Sequence, residues 1–184
     1  MLFPIEHKRQ AGLGMIEVLI SLVVLAIGLL GVGAMQISSL RDNQRAGYRA
    51  QATMLVDELA DRMRANKPAL SLGNSNPYNG VTTAFATTPN CSSGCTAANM
   101  GKADINDWYG ELTRRLPSGA VAKITCIPID AACAADSPYA VCLRWRESRG
   151  LFTGTPESAA DDTRCPTLSA GDGVVQTLVI EFQP

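Results

Sequence analysis

Two features at the amino terminus combine a possible cleavage point with an unusual acid. Gly12 lies between the basic pair Lys8 and Arg9 and a long apolar run. Glu17 is a single acid just inside that run, where a carboxylate costs about 2.5 to 3.5 kcal/mol on insertion scales and therefore usually has a partner. Cleavage after Gly12 would create a new amino group at Leu13. That positive charge, one helical turn from Glu17, could serve as the partner in a neighbouring copy.

Six cysteines form the second group of residues that could take part in chemistry. Cys91 and Cys95 flank the sequence SSG, close enough for a local disulfide if the turn brings their Cα atoms within about 7 Å. A catalytic dithiol normally has two intervening residues, so this spacing favours a structural disulfide over redox chemistry.

The apolar run that follows Glu17 has the length of a membrane span. Its 23 uncharged residues, 18–40, reach roughly 35 Å as a helix. The candidate cleavage glycine precedes the run, which predicts that the span is retained rather than removed as a secretory signal. Lys8 and Arg9 predict a cytoplasmic amino end, with the carboxyl-terminal bulk outside, where disulfides persist.

A helical pattern continues beyond the span. Apolar residues recur at spacings of three and four with charged residues between them: Tyr48, Ala52, Leu55, Leu59 and Met63. No turn signal interrupts the pattern, so it predicts one helix from about Leu13 to Asn66, ended by Pro68. Its second half is expected to bury the apolar stripe against a sheet.

The remaining chain predicts a small mixed head. Residues 67–101 are rich in Gly, Asn, Ser, Thr and Pro and read as a partly packed loop. Residues 103–116 predict a second helix with Asp104 as a candidate cap. Its buried face is predicted to hold Ile105, Trp108, Leu112 and Leu116.

Three strands are predicted after that helix. They are Val121 to Ile127, Tyr139 to Arg146 and Val174 to Phe182, and their alternation favours an antiparallel sheet with one buried face. The fold class is therefore α+β.

Strand alternation also bears on the cysteines. It turns Cys126 inward and Cys142 outward, which disfavours their direct pairing. We therefore predict that Cys126 pairs with Cys133 and Cys142 with Cys165.

Several chemistries find no support in the sequence. The single histidine, His7, precedes the span, so the chain beyond Gly12 has no residue for histidine catalysis or histidine metal ligation. A formal net charge of −1 gives no electrostatic case for nucleic acid. No phosphate or dinucleotide motif is present, and no cofactor or metal is expected. Asp161, Asp162 and Asp172 could offer oxygens to calcium, but a solvated acidic loop is the favoured reading.

The amino-terminal segment resembles the type IV pilins, whose signature is a short basic leader, a glycine and an apolar helix with glutamate at its fifth position. Gly12, Leu13 and Glu17 match these places. The resemblance implies that a prepilin peptidase cuts between Gly12 and Leu13 and methylates the new amino group, and that Glu17 guides docking into a filament. Two positions depart from the family: Leu13 replaces the usual phenylalanine, and Ala34 stands where many major pilins carry proline.

Within this family the text MIEVLISLVVLAIGLLG, the length and the cysteine-bearing strands are most similar to minor pilins of the PilV type. The resemblance implies four segments: a cleaved leader, 1–12; a membrane and filament-core helix, 13–40; its amphipathic continuation, 41–66; and a periplasmic head, 67–184. The implied partners are prepilin peptidase, other minor pilins, the major pilin and the inner-membrane assembly machinery.

The resemblance further implies an inner-membrane location before incorporation into an extracellular pilus that serves twitching motility and adhesion. One alternative is a minor pseudopilin of a type II secretion system, which shares the amino-terminal features. A second is a membrane-anchored periplasmic binding protein or enzyme.

Overall fold

The structure, a computed structural model, describes residues 14–127, 132–147, 164–168 and 173–184. The chain forms two compact units, Met1–Arg41 and Asp42–Pro184. In chain order the elements are α1, Met15–Ala65; α2, Lys67–Leu70; a 3₁₀ turn, Gly73–Ser75; α3, Ala97–Arg115; β1, Val121–Cys126; β2, Tyr139–Glu147; and β3, Val174–Phe182. A long helix followed by an antiparallel sheet confirms the predicted α+β class.

The described part of the first unit is the amino-terminal portion of α1. Its most apolar 18-residue window has a mean hydropathy of 2.7 and no buried residue, so by length and composition the helix could cross a membrane. Large apolar side chains are exposed from Met15 to Leu40. Among the described residues of this unit, the surface has no packing partner, as expected of a helix that meets lipid or other helices.

The second unit is built around the rest of α1. Ala52, Leu55, Leu59 and Met63 are fully buried, and Tyr48 is partly buried against the same core. The predicted apolar stripe is therefore confirmed. The helix ends at Ala65, and Pro68 lies in the first turn of α2, where its missing N–H costs no helical hydrogen bond.

Helix α3 supplies a second wall of the core. Ile105, Trp108 and Leu112 are fully buried, and the Trp108 indole N–H donates to the Leu55 carbonyl oxygen at 2.7 Å. Leu116, just after the helix, is also buried. The predicted face is thus confirmed, with Trp108 as a core residue.

The start of α3 differs from the prediction. The helix begins at Ala97, six residues before the expected Ala103, because Thr96 caps it by accepting a hydrogen bond from the Asn99 N–H at 3.3 Å. Asp104 is therefore not a cap. It lies inside the helix, where its carboxylate accepts a hydrogen bond from Tyr78.

The strands form one antiparallel sheet in the order β1-β2-β3. All three predicted strands are confirmed to within one residue. The expectation of a single buried face is wrong for β2, since Cys142 and Arg144 on the second face are also buried. There, Cys165 is bonded to Cys142 and the Pro166 carbonyl accepts a hydrogen bond of 3.2 Å from Arg144, so this segment covers the strand.

The segment between α1 and α3 is more ordered than its composition predicts. Leu70 and Tyr78 are fully buried. Val81 forms an isolated bridge with Ile124, whose N–H donates to the Val81 carbonyl at 2.9 Å. A few large side chains and side-chain hydrogen bonds anchor it, although small and polar residues such as glycine, asparagine, serine and threonine dominate its sequence.

Candidate functional site

The first turn of α1 carries the acid that the sequence singled out. Glu17 is exposed, and its N–H donates to the Gly14 carbonyl at 2.9 Å. The Ser21 hydroxyl donates to the Glu17 carbonyl at 2.7 Å, one turn further on. The backbone of Glu17 is therefore fixed within the helix while its side chain points away from it. Gly12 and Leu13, the predicted cleavage and methylation positions, lie outside the described residues.

Within the described residues of its unit, 14–41, no basic side chain lies near the Glu17 carboxylate. In the described part of that unit, residues 14–41, the one basic residue is Arg41, 24 positions along the helix. At 1.5 Å per residue this separation is about 36 Å, too far for an ion pair. The site thus presents a lone carboxylate on an apolar helix, an arrangement that attracts a positive charge supplied from outside this segment.

Three glycines in the apolar portion of α1 leave open space around the helix. A Cβ added at Gly28, Gly31 or Gly33 would meet nothing within 4 Å. The fold of a single chain therefore does not require glycine at these positions. Close helix packing with other subunits and local weakening of the helix are both consistent with this finding.

The six cysteines form three disulfides, in the pairing that the sequence predicted. Cys91 joins Cys95, Cys126 joins Cys133 and Cys142 joins Cys165, with Cα–Cα distances of 4.9, 6.1 and 5.2 Å. Each disulfide joins two cysteines with no other cysteine between them in the sequence. They close loops in the second unit, which is the role of structural disulfides.

An ion pair that sequence reasoning missed links α1 to the end of β2. Arg45 Nε lies 3.2 Å from Glu147 Oε2, and the Glu147 side chain is only 5% exposed. The Trp145 indole N–H donates to Glu147 Oε1 at 2.8 Å. Both partners looked like ordinary surface charges in the sequence, because only the folded sheet brings the end of β2 to this part of α1.

A second missed cluster ties the end of α1 to α3. The Tyr78 hydroxyl donates to Asp104 Oδ2 at 2.6 Å and accepts from Asn66 Nδ2 at 3.1 Å. Arg62 lies 3.6 Å from the other oxygen of Asp104. Burial, together with the bond to Asp104, raises the pKa of the Tyr78 phenol well above its usual value. The cluster is a satisfied structural network.

Metal binding finds no support in the described residues, where no group of three or more His, Cys, Asp or Glu side chains is placed to hold an ion. Asp161, Asp162 and Asp172, the candidate calcium ligands, lie outside the residues that the structure describes.

Two family models match the chain. The prokaryotic N-terminal methylation motif matches residues 7–33, which include Gly12, Leu13 and Glu17. The model for type IV pilin Tt1218 matches residues 34–106, the rest of α1 and the chain through the first part of α3. Comparison with curated proteins and with solved structures gives no significant match.

Proposed function

We propose that this chain, a type IV pilin, is a minor subunit of a type IV pilus that docks through Glu17 and helps to prime filament assembly. The observation that carries the docking step is the exposed Glu17 carboxylate on an otherwise apolar helix surface, with no basic side chain within reach among residues 14–40. The match of the methylation motif to residues 7–33 supports the pilin class, on which the proposal builds.

The first step of the proposed function is processing. Prepilin peptidase would cut between Gly12 and Leu13 on the cytoplasmic side of the inner membrane and methylate the new amino group. Cleavage removes Lys8 and Arg9 and creates a positive charge about one turn before Glu17. The processed end therefore supplies the charge that Glu17 lacks, provided that the two belong to neighbouring subunits.

The second step is docking within the membrane. In a medium of low dielectric constant, an ion pair between Glu17 and a neighbour's amino group at Leu13 is far stronger than in water, and an unpaired carboxylate is costly. The pair would draw subunits together and fix their axial offset. The exposed apolar side chains between Met15 and Leu40 would then pack against other pilin helices.

The proposed minor role rests on the resemblance of the amino-terminal helix text, the length and the cysteine-bearing strands to minor pilins of the PilV type. In this role the chain would assemble with other minor pilins and the inner-membrane machinery, start polymerisation of the major pilin and remain in the fibre that serves twitching motility and adhesion. The proposed role is structural, because pilins act as assembly subunits, and it involves no enzymatic step.

The test compares Glu17→Ala with Ser21→Ala, a substitution one turn away on the same exposed surface. We expect Glu17→Ala to reach the membrane in normal amounts and to be nearly absent from sheared pili. Ser21→Ala should be incorporated as the wild type is. Quantitative immunoblotting of membrane and pilus fractions measures both, and equal incorporation of the two variants would rule out docking through Glu17.

Intact mass and the amino-terminal sequence of the membrane protein provide the control for processing. We expect a methylated start at Leu13 in cells with prepilin peptidase and a start at Met1 in cells without it. A start at Met1 in both would instead favour an anchored periplasmic protein. The Glu17→Ala variant keeps Gly12 and should still be cleaved. If it is cleaved but absent from pili, the defect lies in docking and not in processing.

A further inference from the structure

Among the described residues, the two edges of the sheet differ in how they are protected. At the β1 edge, Val81 bridges Ile124, and the Cys126 N–H donates to Asn79 Oδ1 at 3.1 Å. Residues 79–81 therefore cover that edge. At the other edge, within the described residues, β2 is the only strand that pairs with β3.

Strand β3 lacks the usual features that keep an edge strand from pairing. It has nine residues, VVQTLVIEF, without proline or lysine, and its pairing with β2 is continuous from Val174 to Phe182, with no bulge. Glu181 is its single charged residue. Natural edge strands are commonly short, bulged or charged, because a long regular edge is a template for another strand.

The core-facing side chains of β3 remain incompletely covered. Leu178, Ile180 and Phe182 pack on the core yet are only partly buried. Their partners on β2, Leu143, Val141 and Tyr139, are fully buried. A further strand alongside β3 would extend the sheet and cover this row as β3 covers β2.

We propose that β3 of one copy pairs antiparallel with β3 of a second copy about a two-fold axis at Leu178, so that the two three-stranded sheets become one. The axis falls at Leu178 because it is the middle residue of β3, and this register pairs all nine residues. A two-fold interface uses the same surface twice and keeps equivalent faces of both sheets on the same side.

The resulting pairs are compatible in size and charge. Phe182 lies opposite Val174 of the second copy, and Ile180 lies opposite Gln176, so the partly covered row continues across the interface. Glu181 lies opposite Val175, and no two like charges face each other. Glu181 also forms an ion pair with Arg164 of its own chain, which reduces the cost of its approach to an apolar side chain.

Cysteine cross-linking of the full chain in its membrane tests the register. Val175→Cys and Glu181→Cys are placed on chains with tags of different size. Co-expressed, they should form a mixed disulfide-linked dimer, because opposite Cβ atoms lie about 4.5 to 5.5 Å apart. Neither variant alone should cross-link, since residue 175 of one copy is offset along the strand from residue 175 of the other by six residues, about 20 Å, and the same holds for residue 181. Peptide mapping checks that the three native disulfides persist.

A charge pair at Val175 provides a second measurement on the full chain in detergent. Val175→Glu would set one glutamate opposite Glu181 of the other copy at each of the two symmetry-related positions, whereas Val175→Lys would set opposite charges there. The dimer dissociation constant, measured by sedimentation, should rise about two- to thirtyfold for Val175→Glu and should not rise for Val175→Lys. Within one chain Val175 faces Arg146, so the glutamate variant should be the more stable of the two folded chains. A folding defect therefore cannot explain weaker dimerisation of Val175→Glu than of Val175→Lys.

Three outcomes would overturn the proposal. One is a mixed sample that cross-links no more than the single variants. Another is an equal dissociation constant for the two charge variants. The third is a cross-link from these positions to a different protein in the native membrane, which would show that the edge binds another partner rather than a second copy.

Discussion

Tyr78 shows how one buried residue couples the structure to its solution conditions. Its phenol lies in the core between Asn66 and Asp104, and desolvation together with the bond to Asp104 raises its pKa above the ordinary value of 10.0. The pKa of Tyr109, whose hydroxyl donates to the Ala122 carbonyl at 3.0 Å, is raised by burial. In both residues the folded state favours the neutral phenol.

The consequence is a loss of stability in alkali. Below pH 10 the phenols are protonated in both states and their contribution is fully present. Above it the unfolded chain releases protons that the folded chain retains, so the free energy of unfolding falls by up to about 1.4 kcal/mol per pH unit for each such tyrosine.

We expect Tyr78→Phe to flatten the decline above pH 10 relative to the wild type. Urea unfolding of the full chain in detergent, followed by near-ultraviolet circular dichroism with the disulfides intact, measures it. Tyr109→Phe should flatten the decline in the same sense. A Tyr78→Phe profile parallel to the wild type would mean that this phenol does not control the loss.

Residue-scale prediction from sequence succeeded where the signal was local. Trp108 was predicted as a core residue from its helical face and is fully buried. Glu17 stood out because a lone acid in an apolar run is rare, and its docking role stays a prediction. Arg45 and Glu147 gave no such signal, since their pairing depends on folding across a long stretch of sequence. The same holds for Asp104, whose partner Tyr78 comes from a segment predicted to be a loop.

At the scale of elements, two glycines of α3 differ in the space around them. A Cβ at Gly101 would lie well inside contact distance of Pro77 Cγ and 3.1 Å from the Tyr78 ring. A Cβ at Gly110 would meet only Arg114 Nη2, at 3.9 Å. Gly101 therefore permits the close approach of α3 to the preceding segment, whereas Gly110 has no such role.

We expect Gly101→Ala to lower the free energy of unfolding by about 1 to 3 kcal/mol, because the added methyl overpacks the contact with Pro77 and Tyr78. Gly110→Ala should raise it by about 0.4 to 1 kcal/mol, through the lower entropy of the unfolded helix segment. Urea denaturation of the two variants provides the comparison. A neutral or stabilising Gly101→Ala would mean that the two segments separate readily.

Elements were predicted where periodicity was strong and missed where packing decides. The stripe in α1 and the three strands follow from their apolar spacing. The early start of α3 depends on the Thr96 cap within a segment of small residues, which carries little periodic signal. The burial of β2 on both faces depends on the segment around Cys165, which strand alternation alone cannot reveal.

At the scale of the whole molecule, the disulfides close loops of very different length. Cys142 and Cys165 are separated by 23 positions, and Cys91 and Cys95 by four. In the chain-entropy account these loops contribute roughly 3.5 and 2 kcal/mol. Cys142 is also fully buried, so its replacement by alanine removes packing from the outer face of β2.

We therefore expect the double variant Cys142→Ala/Cys165→Ala to lose more stability than Cys91→Ala/Cys95→Ala, by about 1.5 kcal/mol or more. Urea midpoints of the two variants in the full chain give the measurement. Equal losses, or a larger loss for the short loop, would show that neither loop length nor burial governs these bonds.

The order of the cysteines along the chain also bears on biogenesis. The first pairs with the second, the third with the fourth and the fifth with the sixth, and no bond spans another. A chain that emerges with its amino terminus first exposes both cysteines of one pair before the next pair appears. A simple oxidant acting on the emerging chain would thus reach the final connectivity by joining cysteines as they appear, without an enzyme that reshuffles wrong bonds.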